Sequence, residues 1–172
     1  MHIVGLTDVF NVFSSYIASF RLEEVTPPLQ TADSFTAFRG VTLFASLCDF
    51  GSSDDLRASF NPGFTLNSDE APVWLIFDAT VSTASAFSVE SNAGTPGLSF
   101  TTEAFNWNTA TFDVLGVEPA SFNADSIVTY DVVPADHVNA NNEVRSRVGW
   151  RQTGFTLNFP WQVNVDQVGW VQ

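Results

Sequence analysis

Lysine does not occur in this chain of 172 residues. Without its amine there is no Schiff-base chemistry, no P-loop or kinase-type nucleotide site, and no lysine–asparagine isopeptide cross-link. Basic charge of any kind is scarce. Six arginines stand against 19 acidic residues, for a net charge of −13 and a pI near 4.1. Nucleic-acid binding relies on lysine and arginine to neutralise phosphates, so this balance argues against DNA and RNA, and against polybasic docking to anionic lipid. Cysteine occurs once. Cys48 alone allows no intramolecular disulfide, and its place in Leu43-Phe44-Ala45-Ser46-Leu47-Cys48 predicts a small buried hydrophobe rather than a nucleophile. Two histidines and one cysteine scattered over the chain offer no zinc site. No stretch reaches the roughly 18 uninterrupted apolar residues of a transmembrane helix. The first residues show neither a basic n-region nor a small-residue cleavage site, so no signal peptide is read there.

What is present points to a folded domain. The hydrophobic fraction is 45%, the mean hydropathy +0.10, and the aromatics are weighted to 17 Phe and 5 Trp against 2 Tyr. The length suits one domain, able to bury about 70% of its unfolded surface without covalent staples. An acidic, lysine-free surface rich in Ser, Thr and Asn is the composition expected of an extracellular or cell-surface protein.

Two parts are expected: an appended segment, residues 1–33, and a β-domain, residues 34–172. In the first, Ile3, Leu6, Phe10, Phe13, Ile17 and Phe20 recur at three- and four-residue steps, the period of an apolar helix stripe. Thr26-Pro27-Pro28 ends any such helix. Beyond it, short runs rich in Val, Phe, Ile, Thr and Trp alternate with turn clusters such as Asn61-Pro62-Gly63 and Asn139-Ala140-Asn141-Asn142. Strands are predicted over 36–49, 56–60, 73–81, 86–91, 98–107, 111–117, 126–133, 143–151 and 161–171. No helix-length crossover separates any pair, which argues against a parallel α/β sheet. The fold class is therefore all-β, an antiparallel sandwich of the jelly-roll type.

Two strands carry more. In Val144 to Arg151, alternation puts Val144, Val148 and Trp150 on one face and Arg145, Arg147 and Arg151 on the other. Val73-Trp74-Leu75-Ile76-Phe77 is apolar on both faces, so something must cover Trp74 and Ile76. The stripe of residues 3–20, with Phe10, Phe13 and Ile17, is the expected cover, from the same chain or a neighbouring copy.

From about Ser34 to the C-terminus the chain resembles an uncharacterised family of β-sandwich domains in secreted and surface proteins of environmental bacteria. The likeness runs through Phe38-Arg39-Gly40, Ser53-Asp54-Asp55, Asn61-Pro62-Gly63-Phe64 and Ser68-Asp69-Glu70-Ala71-Pro72-Val73. It continues in Phe105-Asn106-Trp107-Asn108-Thr109 with Phe112 across the turn, Arg145-Ser146-Arg147-Val148-Gly149-Trp150, Pro160-Trp161, and Val165-Asp166-Gln167-Val168-Gly169-Trp170. The chain departs from the pattern at Ala110, where Gly is expected in the hairpin turn, and at Phe112, where Trp is usual. The resemblance implies the fold and an exported location; it implies no chemistry.

The candidate sites are few. Asp49, Asp54 and Asp55 offer carboxylates for a structural calcium ion, although their spacing is not that of an EF-hand, and the plainer reading is turn capping and pairing with Arg39 or Arg57. Apart from that ion no cofactor is implied. Arg147 is expected to pair with Asp166 across neighbouring strands. Asp49-Phe50-Gly51 spells a kinase metal triad without any other kinase element. A Ser-His-Asp triad through His137, beside Asp136 in what reads as an exposed loop, lacks a nucleophile elbow. Glu70, Asp78, Glu90 and Glu103 lie in or beside strands, and nothing singles out a glycosidase pair. Trp74, Trp107 and Trp161 are the candidate sugar-stacking aromatics, while alternation sends Trp150 to the core. The leading expectation is a non-enzymatic extracellular or cell-surface structural protein that self-associates. The alternative is a carbohydrate-binding module with a polysaccharide partner, and a hydrolase ranks third.

Overall fold

The structure is a computed structural model that describes residues 28–67, 70–154 and 159–172. The apolar positions Phe10, Phe13 and Ile17 lie outside the described residues. Among the described residues the chain runs β1 (Leu29–Thr31), β2 (Ser34–Arg39), β3 (Val41–Phe44), a 3-10 helix (Leu47–Phe50), β4 (Ala58–Asn61) and β5 (Val73–Thr80). It continues with β6 (Ala86–Ala93), β7 (Leu98–Asn106), β8 (Thr111–Pro119), β9 (Ser126–Asp131), the short helix α1 (Pro134–His137), β10 (Glu143–Gln152) and β11 (Val163–Val171).

The strands form two antiparallel sheets. One has the order β3-β4-β11-β6-β9, with β1 added to β11; the other has the order β2-β5-β10-β7-β8. This is the sandwich expected from the sequence. Its core lies between the sheets and is built by alternation: Val73, Leu75 and Phe77 of β5 point inward, as do Val144, Val148 and Trp150 of β10. Trp150, Trp161, Trp170, Phe50, Phe60 and Phe87 are likewise fully buried. Ring contacts fill the space between the layers: Phe50 of the 3-10 helix meets Phe77 of β5 at 5.0 Å, and Phe100 meets Trp150 across paired strands of one sheet at 5.0 Å. At one margin the Tyr130 hydroxyl of β9 donates to Glu118 of β8, a bond from sheet to sheet.

Several expectations change. The run 36–49 is not one strand: Gly40 takes φ +115, a backbone conformation L side chains rarely adopt, and there the chain leaves one sheet for the other. Leu29–Thr31 pairs with Val171–Gly169, so the sandwich starts earlier than position 34. The strand expected over 56–60 begins only at Ala58, and Leu56 lies exposed before it. Cys48 is exposed as well. A 3-10 turn has three residues, and here Phe50 is the one that enters the core.

Chain-consecutive strands at the C-terminus also part company. β10 lies in the five-stranded sheet and β11 in the other. The expected cross-strand pair of Arg147 with Asp166 therefore does not form. Asp166 sits at a register shift in β11, buried, with Oδ2 accepting from the Asp55 amide at 3.1 Å. Burial raises its carboxyl above the ordinary aspartate value, against the opposing pull of backbone amides from Asp55 and Asp54.

Candidate functional site

The outer face of the five-stranded sheet gathers the arginine row and the second apolar face of β5. Residues that alternate with the core set stand on it: Trp74, Ile76 and Asp78 from β5, and Arg145, Arg147, Gly149 and Arg151 from β10. Register then decides who meets whom. Gly149 lies opposite Trp74 and Arg145 opposite Asp78 on one side of β10, while Arg147 lies opposite Glu103 of β7 on the other.

The pairings follow directly. Arg145 Nε donates to Asp78 Oδ1 at 2.6 Å, and Arg147 Nε donates to Glu103 Oε2. In each case the ion pair is made through Nε, which sets a guanidinium, a donor group, directly beside a carboxylate acceptor. The Arg147 guanidinium also stacks on rings, 4.6 Å from the Trp74 centroid and 4.0 Å from that of Phe112 on β8. Such contacts contribute on the order of 0.5–2 kcal/mol each, most where water is excluded. What covers Trp74 among the described residues is thus an arginine held by its own sheet.

Gly149 makes room for this arrangement. A Cβ built there would lie 2.5 Å from Trp74 Cε3, so the indole rests against the β10 backbone where any side chain would stand. The rings continue towards the β7–β8 hairpin. Phe105 meets Phe112 at 5.2 Å and Trp107 at 4.9 Å, both edge to face, and Arg145 lies 5.9 Å from the Phe105 centroid. Trp107, Phe105, Phe112, Arg147 and Trp74 form one unbroken series of contacts across the face.

The hairpin that carries Trp107 is locally determined. Asn106 Oδ1 accepts from the amides of Asn108 and Thr109 at 3.0 and 3.2 Å, closing an Asx-type turn. Ala110, where glycine was expected, takes the left-handed φ of 57 itself and donates to the Asn106 carbonyl at 2.8 Å. Trp107 Nε1 donates to the His137 carbonyl at 3.1 Å, which fixes the indole against α1. Beside it a groove of about 250 Å³, lined by Asp33, Ser34, Asp78, Thr80, Trp107 and Arg145, continues the face at this end.

Of the three expected aromatic candidates, the structure brings Trp74 and Trp107 into this series and leaves Trp161 out. Trp161 is 2% exposed and packs in the core at the floor of a separate cavity of about 580 Å³, whose rim includes Phe64 and Phe159. Sequence reasoning missed Phe105 and Phe112 as site residues. Alternation along β7 and β8 places them on the outer face, and the Phe105-Asn106-Trp107 hairpin was the signal that they stand together.

The remaining candidates disperse. Asp49 Oδ2 accepts from the Ser46 amide at 2.6 Å, capping its own 3-10 turn. Asp54 accepts from the Leu56 amide and the Ser52 hydroxyl, and Asp55 pairs with Arg57 at 2.5 Å. Among the described residues no group of three His, Cys, Asp or Glu gathers at one point. Glu70 pairs with Arg39 at 3.0 Å, and Glu90 is buried. His137, expected in an exposed loop, is buried at the end of α1. Its Nδ1 accepts from the Val133 amide at 3.0 Å and Nε2 lies 3.4 Å from Asp113, not Asp136. The ring thus pins α1 to β8.

No family profile matches the chain, and no curated protein matches it in sequence. Among solved structures, a CBM32 of AlyQ in complex with 4,5-unsaturated mannuronic acid is 10% identical, with 84% of this chain and 98% of that one covered and a TM-score of 0.49. A family 29 carbohydrate binding module from Piromyces equi is 7% identical over 84% of each chain, with a TM-score of 0.47. The CBM22-1 xylan-binding domain from Paenibacillus barcinonensis Xyn10C is 10% identical, covering 86% of this chain and 97% of that one, with a TM-score of 0.44.

Proposed function

We propose that this protein is a non-catalytic, extracellular glycan-binding domain whose ligand lies on the outer face of the five-stranded sheet. The observation that carries the reading is the stack of Trp74, Arg147 and Phe112, with Glu103 holding the guanidinium. Sugar rings present apolar C–H faces and a rim of hydroxyls. Aromatic rings suit the first, and paired guanidinium and carboxylate groups supply a donor and an acceptor side by side for the second. These groups sit on strands rather than loops, and each is held by a neighbour, so little order is lost when a ligand arrives. The lysine-free acidic composition supports the location.

The test is native affinity electrophoresis of the purified chain in gels containing soluble plant, fungal and bacterial polysaccharides. Retardation by one of them, weakened about tenfold or more by Trp74→Ala, supports the reading; a loss of that size equals about 1.4 kcal/mol. Phe112→Ala serves as an independent variant on an edge strand, with circular dichroism confirming that both fold. Unretarded migration across the whole panel, or retardation indifferent to both substitutions, refutes it.

The edge strand β3 favours a second reading, self-association. Its Val41, Leu43 and Phe44 are exposed, Phe44 by 74%, on a strand that ends the sheet order among the described residues. A concentration-dependent mass in light scattering, abolished by Phe44→Ser, is its expected signature; a constant monomer mass sinks it.

A further inference from the structure

We infer that the ligand of the five-stranded face is an uncharged glycan, one without uronate or sulfate groups; the inference rests on the glycan-binding reading above. Recognition of a carboxylate or sulfate requires a guanidinium with its charge unspent, in a position to make two parallel hydrogen bonds. The two arginines at the centre of this face are both neutralised in place. Arg145 is paired with Asp78 and Arg147 with Glu103, each pair made between directly opposed residues of adjacent strands. Away from this face, Arg39 holds Glu70, and Arg57 holds Asp55 and Asp125.

An anionic sugar arriving at Arg147 therefore meets Glu103 as well, whose side chain is only 10% exposed and cannot swing away without losing its partner. Its approach is also opposed by a chain of net charge −13. A neutral sugar meets neither obstacle. Two neighbouring hydroxyls, each both donor and acceptor, can bridge the guanidinium edge and the carboxylate of one ion pair without separating them. The flanking rings of Trp74 and Phe112 carry no charge requirement. Ion pairs whose net charge is zero select for hydroxyl patterns, and they do so at the same residues the proposed function uses.

The experiment compares polymers that share a backbone and differ in charge: hydroxyethylcellulose against carboxymethylcellulose, and fully methyl-esterified pectin against polygalacturonate. Affinity electrophoresis at low salt should show any retained backbone binding at least about tenfold more tightly in its neutral form. The deficit of the charged form should narrow in about 1 M salt, where charges are screened beyond roughly 3 Å. Glu103→Gln, which frees the Arg147 charge, should narrow it as well. Tighter binding of the charged member, fading as salt rises, overturns the inference and leaves the glycan-binding reading standing. A preference for the neutral form that Glu103→Gln leaves unaltered also overturns it, because the ion pair would not be its source. Failure of every polymer, in this set and in the wider panel, removes both readings together.

Discussion

Gly149→Ala is the substitution that most directly tests how the face is built. A methyl group at this position would lie 2.5, 2.6 and 2.7 Å from Cε3, Cζ3 and Cδ2 of Trp74. Carbon atoms at rest stand about 3.5–4.0 Å apart, so the indole must retreat by about 1 Å. Overpacking of this kind costs about 1–3 kcal/mol. Replacing glycine in a strand returns about 0.5–1 kcal/mol of backbone entropy. The expected net destabilisation is about 1–2 kcal/mol, read as a fall in Tm of about 3–6 °C for a chain of this length. The decisive arm is the same change in a Trp74→Ala background. There the clash is gone and only the entropic gain remains, so Gly149→Ala should be neutral or slightly stabilising. The two substitutions should thus couple by about 1–3 kcal/mol in a double-mutant cycle followed by urea unfolding. If Gly149→Ala costs the same with and without the indole, the seat of Trp74 on the β10 backbone is wrong.

Three further outcomes are expected. Arg147→Ala leaves the nearly buried Glu103 carboxylate without its partner and should cost about 3 kcal/mol, whereas Glu103→Gln keeps a hydrogen-bond acceptor and should cost clearly less; chemical denaturation orders the two. Asp166 has its folded-state pKa raised, chiefly by burial, so the folded chain holds the proton more tightly than the unfolded one. Its contribution to stability therefore falls as pH climbs from the unfolded value, about 3.9, through the raised one. Asp166→Asn should accordingly be stabilising at neutral pH relative to the parent, with the advantage fading below pH 4; an advantage that grows in acid contradicts the sign. Cys48, exposed on its 3-10 turn, should react with a thiol reagent in the native protein as fast as it does in urea, and a native-state lag would place it back in the core.

Alternation is a local property of a strand, and the sequence by itself determined what depends on it. Trp150 went inward and Arg145, Arg147 and Arg151 outward because successive side chains point to opposite sides of any extended chain. The same rule exposed the second apolar face of β5, and turn clusters between short apolar runs announced the sandwich. Assembly of the sheets decided the rest. Arg147 is paired with Glu103, 44 positions away, and not with Asp166 on the next strand, because β10 and β11 enter different layers. Trp74, Trp107 and Trp161 look alike in the sequence, yet two join the outer face and one fills the core. The rings that complete the face, Phe105 and Phe112, are brought to Arg147 by the pairing of β7 with both β10 and β8. Strand order and register are set by hydrophobic closure of the whole core, to which strands distant in sequence contribute. No window of the chain contains that information, and it settled which of the outward-facing residues form a site.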